Sequence, residues 1–218
     1  TCPPRQHKKP LNNNGMMKHM QRLRKRLSLG VMLEWMDKNP FNAYEIRFNK
    51  VKREFLTEKE LSAIEKKKIN IERLQIIRDM FVFSCYTGLA YIDAVYLPVS
   101  SIRNGVDDQL WIYTKRKKTI TPVKIPVLPK AFEIIERYKN NPRSVYYGTI
   151  FPMISNQKLN SYLKEIADLC SIDKNLTFHL ARHTFATSVT LRNGVPIETV
   201  SKLLLDIKVF QLHRFMLK

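Results

Sequence analysis

The sequence predicts a mainly α-helical α+β chain with one small antiparallel β-sheet. Three observations carry this prediction. Apolar residues recur at helical spacing through most of the chain, one central stretch switches to strict alternation, and helix start and stop residues punctuate the rest.

Residues 1–12, with Pro3, Pro4 and Pro10, run into consecutive asparagines and read as an unstructured lead-in. Met16, Met20, Leu23, Leu27 and Val31 then fall on one side of a helix assigned to residues 13–40. Its other side carries Arg22, Arg24, Lys25 and Arg26, and its end is expected at Asn39-Pro40, because proline disfavours the helical state of the residue before it. A lone helix cannot bury its apolar stripe, so this one reads as the remnant of a bundle. Residues 41–56 form an extended linker, with Tyr44, Ile46 and Phe48 alternating against polar neighbours.

Thr57-Glu58-Lys59-Glu60 has the form of a capping box and opens a domain assigned to 57–218. A second helix over Ile71–Tyr86 is apolar on all sides and is expected at the centre. Thr87-Gly88 stops it, and a short helical piece continues to Leu97. Gln109–Thr114 and Ile120–Val127 alternate as strands around the polar turn Lys115–Thr119, which makes a hairpin with a basic tip. Further helices are expected over Pro129–Lys139, Asn156–Cys170 with Ser155 as cap, Leu180–Arg192 stopped by Gly194, and Pro196–Leu205.

Composition narrows the class of function. The 218 residues hold 38 Lys+Arg against 19 Asp+Glu, a formal charge of +19. The excess runs along the whole chain rather than in one tail, which suits a groove following a phosphate backbone. The apolar content of 44% excludes disorder, and no apolar run is long enough to cross a bilayer. Cys2, Cys85 and Cys170 are odd in number and widely spaced. Neither a disulfide framework nor a cysteine zinc site is expected, and a reducing compartment follows. Nor does the first stretch look like a signal peptide.

One constellation gives the chain a family. Phe178-His179-Leu180-Ala181-Arg182-His183-Thr184-Phe185-Ala186-Thr187, followed by Asn193-Gly194-Val195-Pro196-Ile197 and Val200-Ser201-Lys202-Leu203-Leu204, resembles the second conserved box of tyrosine recombinases, the phage-type integrases. Thr87-Gly88-Leu89 resembles the first box, and the hairpin ending in Lys118-Thr119 resembles the family's catalytic hairpin. The wording Phe83-Ser84-Cys85-Tyr86-Thr87-Gly88-Leu89-Ala90-Tyr91-Ile92-Asp93 is similar to integrases of transposon-like mobile elements in Bacteroides-type bacteria. The helix before Asn39-Pro40-Phe41 resembles the last helix of the family's core-binding domain.

The resemblance implies site-specific DNA cutting and rejoining through a 3′-phosphotyrosine, with no cofactor, no metal and no membrane. Its partner would be double-stranded DNA, on which copies of the chain would assemble as a homo-oligomer. Its location would be the cytoplasm of a bacterial cell, at the nucleoid. The reaction passes through a phosphorane-like state whose charge must be held by positioned cations. By resemblance Arg182 would clamp a non-bridging oxygen with its rigid fork. His179, one turn earlier, would donate to the phosphate or manage a proton, and Lys118 would protonate the departing 5′ oxygen. Lys115, Lys117 and Thr177, with Arg22, Arg24, Lys25 and Arg26, would bind DNA. Taken without the boxes, Lys115–Lys118 is a solvated turn. His179 and His183 have metal-like spacing but lack the glutamate of His-Glu-x-x-His.

Two departures from the family pattern bear on activity. Ala90 stands where the family carries an arginine, and Asp93 beyond it would repel phosphate. Arg116, two residues before Lys118 and on the same face if the strand continues, is the candidate substitute. The last tyrosine is Tyr162, so no nucleophile follows the Arg182 box, and the stretch after Leu204 lacks the Leu-Gly-His/Trp box. With suitably chosen synonymous codons, a shifted frame of residues 206–218 reads Gly-His-Lys-Gly-Phe-Ser-Ala-Ser-Ser-Val-Tyr-Ala-Lys, which is a family-like ending. The expectation is therefore a truncated or frameshifted integrase that binds DNA and cannot complete catalysis. The alternatives are a non-catalytic protein occupying recombination sites and a basic RNA-binding protein. The latter lacks aromatic-rich RNP-type strands or a Gly-x-x-Gly loop.

Overall fold

A computed structural model describes residues 10–50, 54–196 and 198–200. The chain divides into two compact units, Thr1–Lys52 and Arg53–Lys218.

The first unit is built on α1 (Asn13–Met32), which starts where the Asn12 side chain accepts the Gly15 amide at 2.8 Å. The asparagines expected to be unstructured therefore open the helix. Asn13 and Asn14 also donate to the carbonyls of Arg47 and Asn49, and Asn14 accepts the Asn49 amide, tying this end to the segment at 47–49. The helix stops seven residues before the expected Asn39-Pro40. Glu34 takes a left-handed φ of 58°, the Trp35 amide donates back to the Gly30 carbonyl at 2.9 Å, and the chain folds over Gly30. A β-carbon there would lie 3.3 Å from the Met36 sulfur. Asn39 instead caps a 3₁₀ turn, Pro40–Ala43, and donates to Ser28 Oγ. Within this unit Met17 and Gly30 are buried, while Met16, Leu23, Met32 and Trp35 stay exposed.

In the second unit the capping box forms as read. Thr57 Oγ accepts the Glu60 amide and Glu60 accepts the Thr57 amide at 2.7 Å, starting α2 (Glu58–Lys66). Partial burial pushes the Glu60 carboxyl up. Lys174, 2.6 Å away, and the Thr57 amide and hydroxyl outweigh that and hold it below its ordinary value. A depressed carboxylate contributes stability above its unfolded pKa and loses it as pH falls through the folded one. Glu60→Gln should therefore cost about 1 kcal/mol at neutral pH, with the gap closing on acidification. Urea midpoints of both proteins across the acid range test this.

The central helix is α3 (Glu72–Thr87), with Leu74, Ile77, Met80, Phe81 and Phe83 essentially inaccessible. It packs against α2, α5 (Pro129–Tyr138), α7 (Asn156–Leu169) and α8 (Phe178–Thr184). A short α4 (Tyr91–Val95) follows its glycine stop, where Gly88 has φ 67°. Asp79, buried on α3, accepts from Arg78, Arg137 and Tyr138 and so ties α5 to the centre.

The sheet runs β1 (Ile102–Asn104), β2 (Leu110–Lys115), β3 (Pro122–Pro126), all antiparallel, with Ile112 opposite Ile125 and Lys115 opposite Pro122. The hairpin was legible. The three-residue β1 and the helix α6 (Pro142–Tyr147) were not, both being too short to show a period.

The helix expected over Leu180–Arg192 is not one α-helix. α8 gives way to a π-helical turn, Phe185–Thr190, and a 3₁₀ turn, Leu191–Asn193, before Gly194 at φ 78°. The physical reason is hydroxyl competition. Thr184, Thr187 and Thr190 donate to carbonyls four or five residues back, loosening the ladder. Thr184 Oγ also accepts the Leu56 amide at 3.0 Å, and Ser188 donates to the Leu56 carbonyl. Of the helix expected over Pro196–Leu205, residues 198–200 are helical. The remainder, with the tail to residue 218, lies outside the described residues, as does Cys2.

Candidate active site

The elements named by sequence converge through α4. The end of α3 is closed by its own side chains, with Thr87 donating to the Phe83 carbonyl at 2.8 Å and Ser84 to the Leu89 carbonyl at 2.6 Å. The chain is thereby turned so that Ala90, in extended conformation, caps α4. From α4 Tyr91 reaches one way. Its ring meets Phe178, at the start of α8, edge-on at 5.9 Å. Asp93 and Tyr96 reach the other way, to the hairpin tip. α4 is thus the common support of the Arg182 helix and the basic hairpin.

α8 begins at Thr177, whose side chain makes no cap bond; Asn160 of α7 accepts the Phe178 amide instead, at 2.9 Å. Arg182 lies inside the protein at 2% exposure, and His183 is buried beside it in sequence. His179 is exposed. The two imidazoles stand perpendicular, their Nε2 atoms 3.2 Å apart, so one proton can be shared between them. Among the described residues no group of three or more His, Cys, Asp or Glu side chains is set to hold a metal ion. Cys85 is buried, which pushes its thiol well up and leaves it inert.

The hairpin tip differs from the expected geometry. The strand ends at Lys115, and residues 116–121 form a turn closed by Arg116 N–H to Thr121 C=O at 2.9 Å and Ile120 N–H to Arg116 C=O at 2.8 Å. Period-two reasoning therefore stops before Lys118. Arg116 continues the inward phase of Ile112 and is buried, whereas Lys118 is exposed, so the two do not share a face. Arg116 forms an ion pair with Asp93 at 3.6 Å, and Asp93 also accepts the Lys117 amide at 2.9 Å. The sequence reading, which saw Asp93 only as a carboxylate repelling phosphate, is corrected here. It is the anchor of the tip. Its place one turn after Ala90 and the adjacent basic tip were the available signals.

Lys115 and Lys117 are exposed at the hairpin, as are Arg22, Lys25 and Arg26 on α1 of the first unit. Arg24 is half-buried and its carbonyl accepts from Asn39.

This arrangement of a buried arginine on a histidine-bearing helix, beside a basic hairpin on a helical scaffold, is that of the integrase-type recombinases. Residues 54–205 match the phage integrase family and residues 2–51 the phage integrase SAM-like domain, and the chain belongs to that family of tyrosine recombinases. It is 28% identical over 190 residues to a tyrosine recombinase of Agathobacter rectalis, covering 76% of this chain and 59% of the relative, so it spans about three-fifths of that protein. The fold is also that of solved integrases. A lambda integrase dimer bound to a COC′ core site superposes with TM-score 0.70 at 16% identity, over 93% of this chain and 73% of that one. The Tn1549 transposon integrase in complex with circular intermediate DNA gives 0.72 at 16% identity, over 95% and 76%. Among the described residues no helix is long and apolar enough to cross a membrane.

Proposed function

We propose that this chain binds duplex DNA as part of a site-specific recombinase. Arg182, His179 and Lys118 would face the scissile phosphate, with Arg116 as the candidate substitute for the arginine missing at Ala90. The observation that carries the reading is the double attachment of α4, to α8 through Tyr91–Phe178 and to the hairpin through Asp93–Arg116. It gives the two cationic elements one rigid support. Family membership, the +19 charge and relatives solved as a dimer or tetramer on DNA support binding to DNA and assembly on it. Lys115, Lys117, Thr177 and the basic face of α1 would track the backbone, in a bacterial cell at the nucleoid.

The 218 residues contain no tyrosine after Tyr162. This polypeptide would hold a phosphate without forming a 3′-phosphotyrosine bond, and a frameshift within residues 206–218 accounts for it. Fluorescence anisotropy on duplex DNA should give a slope of log K against log salt steeper than about −4, as expected for several phosphate contacts. Nicked suicide duplexes should yield no covalent adduct. Salt-independent binding, or equal affinity for duplex RNA, would overturn the reading.

A second reading, a non-catalytic protein occupying recombination sites, is favoured by Ala90 and by the missing tyrosine. Appending the shifted-frame tail separates the two: covalent adducts appear for a damaged recombinase and do not for a dedicated binder. The DNA sequence of the gene after Leu204 tests the frameshift directly.

A further inference from the structure

The tip carries Lys115, Lys117 and Lys118 within four residues, and all three are exposed. A phosphate approaching the turn would meet several ammonium groups on flexible stems, with nothing in the charges to choose among them. The side chains around them do differ. Lys115 follows the outward phase of β2, on the side of the sheet away from Ile112. Lys117 is turned sideways, its Nζ 3.6 Å from the centroid of the Tyr96 ring, while its own amide is held by Asp93. Asp93 and Tyr96, three residues apart, thus take hold of consecutive residues of the turn: Arg116 through its guanidinium, Lys117 through both amide and ammonium. Lys118, next in sequence, is outside this grip.

We propose that Tyr96 is a positioning residue that selects among these lysines. Its ring holds the Lys117 ammonium against α4 and leaves Lys118 as the one the tip presents. The inference rests on the reading of the tip as the phosphate-facing element. It adds to that reading a residue from outside the family boxes. The ring works by its π-face, so the hydroxyl is dispensable and the aromatic is not. A merely structural tyrosine would change stability without altering which lysine is accessible.

The test is competitive lysine acetylation of the 218-residue chain with sub-stoichiometric acetic anhydride, read by mass spectrometry, with and without duplex DNA. In the unaltered protein Lys117 should react more slowly than Lys118. Tyr96→Ala should raise Lys117 labelling roughly fivefold, the scale of a lost cation–π contact, while Tyr96→Phe should leave it unchanged. Lys117→Ala, which spares the ring, should leave Lys118 labelling as it was and guards against a Tyr96→Ala protein that fails to fold. Equal labelling of Lys117 and Lys118 in the unaltered protein, or identical behaviour of the Phe and Ala variants, would overturn the selection. With DNA, Lys118 alone should be shielded in the unaltered protein, and both lysines in Tyr96→Ala. Shielding of neither would overturn the DNA reading instead, because the DNA-free arms judge the Tyr96 contact by themselves.

Discussion

Asp79→Ala should destabilise the second unit by about 3–5 kcal/mol, the cost of breaking a buried ion pair by removing one partner. Asp79 is 3% exposed and accepts from Arg78 at 2.9 Å, Arg137 at 2.7 Å and the Tyr138 hydroxyl at 3.0 Å. Its loss strands Arg78, whose side chain is largely enclosed, and leaves the Tyr138 hydroxyl without that acceptor. The same environment, burial first and the Asp79 charge second, pushes the Tyr138 phenol up. Arg137 is half exposed, and an exposed partner contributes little, so Arg137→Ala should cost only about 1 kcal/mol. Urea denaturation of both variants checks the ordering. Equal losses would mean that the α3–α5 tie is a surface effect.

Asp93→Ala should be of similar size for stability, about 3–5 kcal/mol, and should in addition release the hairpin tip. Arg116 is 2% exposed and loses its carboxylate, while the Lys117 amide loses its acceptor. Trypsin should then cut after Lys117 and Lys118 faster than in the unaltered protein. Asp93→Asn keeps an oxygen for the amide and gives up the charge. It should lose most of the stability while keeping the tip more resistant to cleavage than Asp93→Ala. If both variants are cut at the unaltered rate, the tip is held by something other than Asp93.

The chain's signals were unequal in reach. The Thr57–Glu60 box, the all-apolar α3 and the alternation through Ile112 and Ile125 were legible because each is set by neighbours within one turn or one strand pair. Short elements such as β1 and α6 hold too few residues to declare a period. The end of α1 was misread because proline is a strong stop, yet a left-handed Glu34 and the tight fold over Gly30 act first. The π-helical turn after α8 was hidden for a related reason: threonine hydroxyls compete with the helical ladder without altering the apolar pattern. At the site, the motif pointed to Arg182, His179 and Lys118. The role of Asp93 needed the fold, because its partners lie more than twenty residues away and a carboxylate near a phosphate reads as an error until its arginine is in view.

Leu56 offers a practical lesson on where the second unit begins. Its side chain is wholly enclosed and both of its peptide groups are claimed by hydroxyls from the far end of the unit, Thr184 and Ser188. A polypeptide cut to start at the helix cap, Thr57, would discard a plug and expose two orphaned hydroxyls next to the Arg182 helix. One starting at Glu54 would keep them satisfied, so excision by three residues more or fewer decides whether the arginine sits on a finished or an unfinished support.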